Sequence, residues 1–440
     1  MSDLNRTDLA VQAERVLLIT VMLPDSTADP MDPVGELRSL ARTAGASIVD
    51  EMLVKRQEIN PALYVGSGKA QEIAQRCELN NVDTIIFDND LAPNQIRELE
   101  KITRRKVIDR SELILDIFAA HARTAESRLQ VELAQLEYTY PRLTGMWTHL
   151  ERIAGAGATG ASAIGGIGTR GPGEKQIEID RRLVQKRVSH LKRQIKEIDD
   201  RKLREVRSRR DAFGVCLVGY TNAGKSTCMR LLTGANVLVA DRLFATLDTR
   251  TRKWRLGEGQ TVLLSDTVGF VRDLPHHLIA SFRATLEEAI WADLLLHVAD
   301  ASHERVEHQI QAVDGVLDEL GCDRAKRLLV LNKTDRISDP ATRTVLARKY
   351  PQAVFFSAVT GSGAQELVQR VLSAAGGLPV RVRLRANFRN GRLMQYLAQH
   401  ASVISQEFTD QAAEIEAAMS EKHLAELAIF GSDVSVERQP

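Results

Sequence analysis

The octapeptide Gly219-Tyr220-Thr221-Asn222-Ala223-Gly224-Lys225-Ser226 constrains this 440-residue chain more than any other segment. It follows the apolar run FGVCLVG (213–219) and precedes a stretch of helical periodicity over 225–233. The pattern G-x-x-x-x-G-K-[ST] between a strand and a helix demands a tight loop at the end of a buried strand, and so an open α/β sheet. Its glycines leave backbone N–H groups free to surround a β-phosphate. Lys225 can neutralise charge on the β- and γ-phosphates, and the Ser226 hydroxyl can ligate Mg²⁺, with Thr227 next in the same turn.

Two more motifs follow in order. Asp266-Thr267-Val268-Gly269 comes after the strand-like TVLLS (261–265). The Asp266 carboxylate can hold Mg²⁺ through a water, and the Gly269 N–H can bond a γ-phosphate. Asn332-Lys333-Thr334-Asp335 comes after KRLLVL (326–331). Asp335 can accept hydrogen bonds from guanine N1–H and from the exocyclic amine. Adenine offers neither there, and the carboxylate would stay unpaired. The Lys333 stem can pack over the base, and Asn332 can tie its motif to the phosphate loop. Ser357-Ala358-Val359, after AVFF (353–356), can give a backbone N–H to guanine O6. Lys225 and Asp266 are 41 residues apart, and Asp266 and Asn332 are 66 apart. Each motif ends a strand, the edge at which such sheets bind ligands. The set reads as a GTP site.

Phe244-Ala245-Thr246-Leu247-Asp248, between the first two motifs, reads as a switch segment. Thr246 can give its hydroxyl to Mg²⁺ and its backbone to the γ-phosphate. Thr249 and Thr251 are competitors that spacing does not exclude. Phe270 follows Gly269, where many GTPases carry a glutamine that orients the attacking water. Phenylalanine cannot do this, so slow intrinsic hydrolysis is expected. Asn222 reads as a loop hydrogen bond, with a K⁺ ligand as the alternative.

Four regions follow one another. Residues 14–109 alternate strand-like runs (RVLLITVML, VDTIIFD) with helical ones (PVGELRSLARTAG, APNQIRELEKIT), the pattern of a small α/β domain with a largely parallel sheet. Gly66, Gly68 and Lys69 mark a tight turn there, with weak phosphate binding as the second reading. Residues 110–211 read as a helical hairpin. Leu113, Ile117, Leu129, Leu133, Leu136 and Tyr140 recur at roughly helical spacing before Pro141. Val184, Val188, Leu191, Ile195 and Ile198 mark a seam on a second helix over 174–208. The tip loop 154–173 holds 8 of the 28 glycines, and loops this long are functional or disordered. Residues 212–375 form the doubly wound nucleotide domain. Residues 376–440 form a small α+β domain of βαββ type.

Net charge is only +1, but between Arg170 and Arg210 there are 15 Lys/Arg against 7 Asp/Glu. Such a block is either a polyanion contact or a solvated helix face. The four cysteines are scattered, which suggests buried thiols rather than zinc or disulfides. No apolar run approaches a membrane span, and the polar start lacks a secretory layout, so a cytoplasmic protein is expected.

With these residues in place, the chain resembles the HflX GTPases, P-loop proteins related to translation factors. The resemblance rests on YVGSGKAQEI (64–73), LAPNQIRELE (91–100), GGIGTRGPGEKQIEIDRR (165–182), VGYTNAGKST (218–227), FATLD (244–248), DTVGFVRDLPHHLIASFRATLEE (266–288) and NKTD (332–335). It implies a monomeric GTP hydrolase that binds the ribosome, mainly the 50S subunit and its rRNA, and splits or rescues stalled or idle ribosomes under stress. It implies Mg²⁺ on Ser226 and Thr246, and hydrolysis stimulated by the ribosome. It also implies that the glycine tip reaches rRNA, with Gly165, Gly166, Gly168, Arg170, Gly171, Gly173, Lys175, Arg181 and Arg182 as contact residues. Lys175-Gln176-Ile177 departs from the Thr-Gln-Leu of many relatives, and Ser357-Ala358-Val359 from their Ser-Ala-Lys or Ser-Ala-Leu. The alternatives are an RNA-binding GTPase of ribosome assembly or tRNA modification, and a coiled-coil scaffold. The first often needs a C-terminal cysteine, which the ending VSVERQP lacks.

Overall fold

Strand β1 (Arg15–Met22) carries six consecutive buried residues. A strand buried on both faces belongs inside a parallel sheet covered by helices. In the computed structural model β1 pairs in parallel with β2 (Ser47–Lys55) and β3 (Thr84–Phe87), and β4 (Lys106–Ile108) completes the order β2-β1-β3-β4. Helices α1 (Gly35–Thr43), α2 (Ser67–Leu79) and α3 (Pro93–Thr103) make the crossovers. The structure describes residues 14–140, 174–208, 213–234, 243–244, 249–257, 260–272, 288–323, 326–376, 380–387, 390–408, 412–419, 421–430 and 434–438. They fall into two compact units. One holds the described residues up to Asp199 together with Leu243, Phe244 and Arg272, and the other holds the rest.

The first predicted helix of the hairpin is in fact two, α4 (Arg110–His121) and α5 (Ala125–Thr139). The break comes from Thr124, whose hydroxyl accepts from the Ser127 N–H at 3.1 Å and starts a new helix. Helix α6 runs Glu174–Ser208, as the seam spacing predicts. Leu191 is buried, and Val184, Val188, Ile195 and Ile198 are half-covered. Arg187 pairs with Glu132 at 2.7 Å, and Lys192 with Glu137 at 2.8 Å.

A buried ion cluster sits at the carboxyl edge of the first sheet. Arg110, 2% exposed, donates to Asp88 and to Glu36 at 2.7 Å each. Arg272 reaches the same Asp88 at 2.6 Å, and its carbonyl accepts from Arg110 at 3.1 Å. Glu36 lies in the first turn of α1, where the helix dipole favours negative charge. Two guanidiniums and two carboxylates balance here. In the same unit, Phe244 meets the Phe118 ring edge-on at 4.6 Å, and the Leu243 N–H donates to Thr43 Oγ1 at 3.3 Å.

In the second unit, β5 (Gly214–Gly219) sends Val215 and Leu217 to one core and Cys216 and Val218 to the other. Strands β6 (Arg250–Gly257), β7 (Gln260–Asp266), β8 (Leu294–Asp300), β9 (Arg327–Asn332) and β10 (Val354–Phe355) complete a sheet of order β10-β9-β8-β5-β7-β6. Only β6 runs antiparallel. Helices α7 (Lys225–Thr233), α8 (Val306–Glu319) and α9 (Pro340–Lys349) lie between its strands, and α10 (Ala364–Ala374) follows β10 and packs Leu367, Val371 and Leu372 on its core. The last region forms an antiparallel sheet from β11 (Val380–Ala386), β12 (Ala401–Phe408), β13 (Ala413–Met419) and β14 (Ser435–Arg438). Helix α11 (Gly391–His400) buries Leu393 and Leu397 in that sheet's core. A short helix, α12 (Glu421–Glu426), precedes β14. All four cysteines are free and buried.

Removing one member of the ion cluster leaves buried charge uncompensated. Arg110→Ala is expected to cost about 3–5 kcal/mol of stability, read from urea unfolding of the full chain. A loss below about 1 kcal/mol, the range of exposed pairs, would contradict the cluster's burial.

Candidate nucleotide site

The phosphate loop needs backbone that most residues cannot adopt. Gly219 has φ +148°, and a Cβ there would strike the Val298 carbonyl on the neighbouring strand. Gly224 has φ +96°, and a Cβ there would strike the Asn332 amide. Asn222 sits in the left-handed region at φ +61°, which asparagine tolerates better than most side chains. That geometry accounts for Asn222 as a loop residue. Lys225 Nζ donates to the carbonyls of Gly219 and Tyr220 at 2.9 Å each. Burial pushes its ammonium down to about 8, against an opposing pull from Asp266.

The motifs converge at the sheet's carboxyl edge. Ser226 Oγ donates to Asp266 Oδ2 at 2.8 Å, and Asp266 is fully buried. A hydroxyl so placed beside a buried carboxylate fits a Mg²⁺ that Ser226 would ligate directly and Asp266 through a water. The Thr267 hydroxyl donates to the Leu217 carbonyl at 2.7 Å, anchoring this loop to β5. Past Gly269 the chain lies along the phosphate loop: Thr221 N–H donates to Phe270 O at 2.7 Å, and Phe270 N–H donates to Gly219 O at 3.1 Å. Phe270 itself is buried in the core.

On the base side, Asn332 Nδ2 donates to Ala223 O at 2.8 Å, and Ala358 N–H donates to Asn332 Oδ1 at 3.0 Å. Ser357 Oγ donates to Asp335 at 2.5 Å and so orients the carboxylate. Asp300, at the end of β8, pairs with Lys333 at 2.7 Å, and Thr334 Oγ1 donates to Phe356 O at 3.0 Å. Asp300 was not singled out in the sequence. Its signal was an acidic residue closing an apolar run, as at Asp266.

Other predicted residues fall elsewhere. Val359 is 73% exposed. Thr251, a competitor for Mg²⁺, lies in β6, where its hydroxyl bonds Ser265 at 2.9 Å. Ala245, Thr246, Leu247 and Asp248, and the tip residues Gly165, Gly166, Gly168, Arg170, Gly171 and Gly173, lie outside the described residues. Lys175 and Arg181 lie on α6. Arg182 is exposed there and lines a shallow basic face with Lys186, His190 and Arg193. Of the predicted Gly66–Lys69 turn, Gly66 caps α2 at φ +86°, and Gly68 and Lys69 lie in the helix's first turn, where Lys69 pairs with Glu72 at 2.7 Å. Among the described residues no group of three or more His, Cys, Asp or Glu is placed to hold a metal, and no helix is long and apolar enough to cross a membrane.

Residues 32–119 match a family described as GTP-binding GTPase N-terminal, 121–210 one described as GTP-binding GTPase Middle Region, and 214–333 one described as 50S ribosome-binding GTPase. The GTPase HflX of Magnetococcus marinus is 41% identical over 96% of this chain and 97% of its own. That of Escherichia coli is 42% identical over 82% of this chain and 84% of its own. A solved structure described as a complex of SsGBP and GDP aligns with a TM-score of 0.47 at 22% identity, over 82% of this chain and 98% of that one.

Two outcomes are expected of the site. Asp335→Asn replaces an acceptor with a donor, so GTP affinity should fall by about 100-fold or more while xanthosine triphosphate, with an oxygen in place of the amine, gains. Competition binding checks this, and unchanged preference would remove Asp335 from base recognition. Phosphates favour charged Lys225, so its bound-state value lies above the free value near 8. Binding above that pH should take up a proton, and affinity should weaken as pH rises through 8. Calorimetry in buffers of different ionisation enthalpy reads the uptake. Motif geometry and relatives matching almost end to end agree: the chain belongs to the HflX family of GTPases.

Proposed function

We propose that this GTPase binds the large ribosomal subunit and couples GTP binding and hydrolysis to the splitting or rescue of stalled or idle ribosomes under stress. The observation that carries the reading is the match of residues 214–333 to a family described as 50S ribosome-binding GTPase. The exposed basic face on α6 supports it, since rRNA phosphates attract Arg and Lys. In this reading the glycine tip and its flanking cations Arg170, Lys175, Arg181 and Arg182 meet rRNA. The protein acts as a monomer in the cytoplasm, where ribosomes are. The domains are those read from the sequence, at 14–109, 110–211, 212–375 and 376–440.

Mg²⁺ sits on Ser226 and Thr246, with Asp266 behind a water, and K⁺ at Asn222 is the optional supplement. GTP orders the segments at Thr246 and Gly269, and hydrolysis releases the ribosome. Because Phe270 cannot orient water, intrinsic turnover is slow and the ribosome accelerates it.

Cosedimentation with 50S subunits should be stronger with a non-hydrolysable GTP analogue than with GDP; equal pelleting in both states would count against the reading. Deleting 155–173 should abolish ribosome-stimulated hydrolysis and leave nucleotide affinity within about threefold. Full stimulation without that segment would free the tip of its assigned role.

A further inference from the structure

Phe270 leaves the attacking water without its usual guide, and the phosphate loop carries a hydroxyl that nothing in its surroundings uses. Thr221 is 7% exposed, and its Oγ1 is wholly buried with no hydrogen-bond partner. Its N–H is already engaged by Phe270 O at 2.7 Å. A buried hydroxyl without a partner is costly. Packing alone would be served as well by valine, which has the same outline and no such cost.

The neighbours show where a partner would come from. A Cβ placed on Gly269 would lie 2.8 Å from Cα and Cγ2 of Thr221 and 2.9 Å from Lys225 Nζ. The Thr221 methyl, the Lys225 ammonium and the Gly269 backbone therefore meet at one point, and a turn about the Thr221 Cα–Cβ bond brings the hydroxyl there in place of the methyl. Lys225 and the Gly269 N–H are the groups that these motifs direct at a γ-phosphoryl. A γ-phosphoryl reached by both lies beside Thr221.

We propose that the Thr221 hydroxyl positions the water that attacks the γ-phosphorus, in the role Phe270 cannot fill. A hydroxyl can accept from the water and donate to a γ-phosphoryl oxygen at once. The water oxygen bonds to phosphorus, and the bond from phosphorus to the β–γ bridging oxygen breaks. GDP leaves with that electron pair; one water proton passes to a γ-phosphoryl oxygen and the other stays on the attacking oxygen, so both leave on the phosphate product. Thr221 gains and loses no proton. The inference rests on GTP hydrolysis alone and does not depend on a ribosomal partner.

Single-turnover hydrolysis by the full chain with Mg²⁺, beside binding of fluorescent GDP and of a non-hydrolysable GTP analogue, tests it in Thr221→Val and Thr221→Ser. Thr221→Val should slow hydrolysis about tenfold or more. Its affinity for both nucleotides should stay within about threefold of the parent, so that the loss falls on the rate and not on binding. Thr221→Ser, which keeps the hydroxyl, should stay within about threefold of the parent rate. Parent-like hydrolysis in Thr221→Val, or equal loss in both variants, would overturn the proposal. So would loss of GDP binding in Thr221→Val, which would assign the side chain to the shape of the loop.

Discussion

Asn332 is 1% exposed and uses both ends of its amide, giving its N–H to Ala223 O at 2.8 Å and accepting from Ala358 N–H at 3.0 Å. Three motifs far apart in the chain thereby share one side chain. Neither an acid nor a hydrocarbon of the same size could serve, because the two contacts need a donor and an acceptor. The loop that would cradle phosphates and the loops that would read the base are held as one piece. Asp300 on Lys333 and Ser357 on Asp335 extend the same frame outward from the strand ends.

Motifs made this site legible early, because phosphate chemistry requires particular residues at fixed offsets from a strand end. Gly219 and Gly224 are demanded by collisions that no other residue avoids, so their spacing in the motif marked them. Buried parallel strands such as β1 and β5 were equally visible as apolar runs. Harder cases were β2 and β6, whose half-exposed faces mix Asp, Glu, Arg and Lys with apolar residues and blur the period of two. The split between α4 and α5 depends on one threonine cap inside an otherwise continuous helical spacing.

Charged residues in the first unit were misleading in a different way. Glu36, Asp88, Arg110 and Arg272 are scattered over more than half the chain, and each taken alone looks like an ordinary solvated charge. Only the fold brings the opposite charges within 2.6 to 3.8 Å, with Asp88 and Arg110 buried and Glu36 and Arg272 partly covered. Burying such groups is tolerable because every charge meets its opposite. Hydrophobic periodicity is blind to that arrangement.

The chain does not finish one unit before starting the other: Leu243, Phe244 and Arg272 are packed with the first unit, while the residues around them in sequence build the second. No single cut can therefore separate the two cleanly. A fragment beginning at residue 212 would carry a bare aromatic ring and a guanidinium stripped of its carboxylates. Rates measured on such a fragment would describe a protein with two newly orphaned side chains and an unpaired Leu243 N–H, rather than the nucleotide domain at rest.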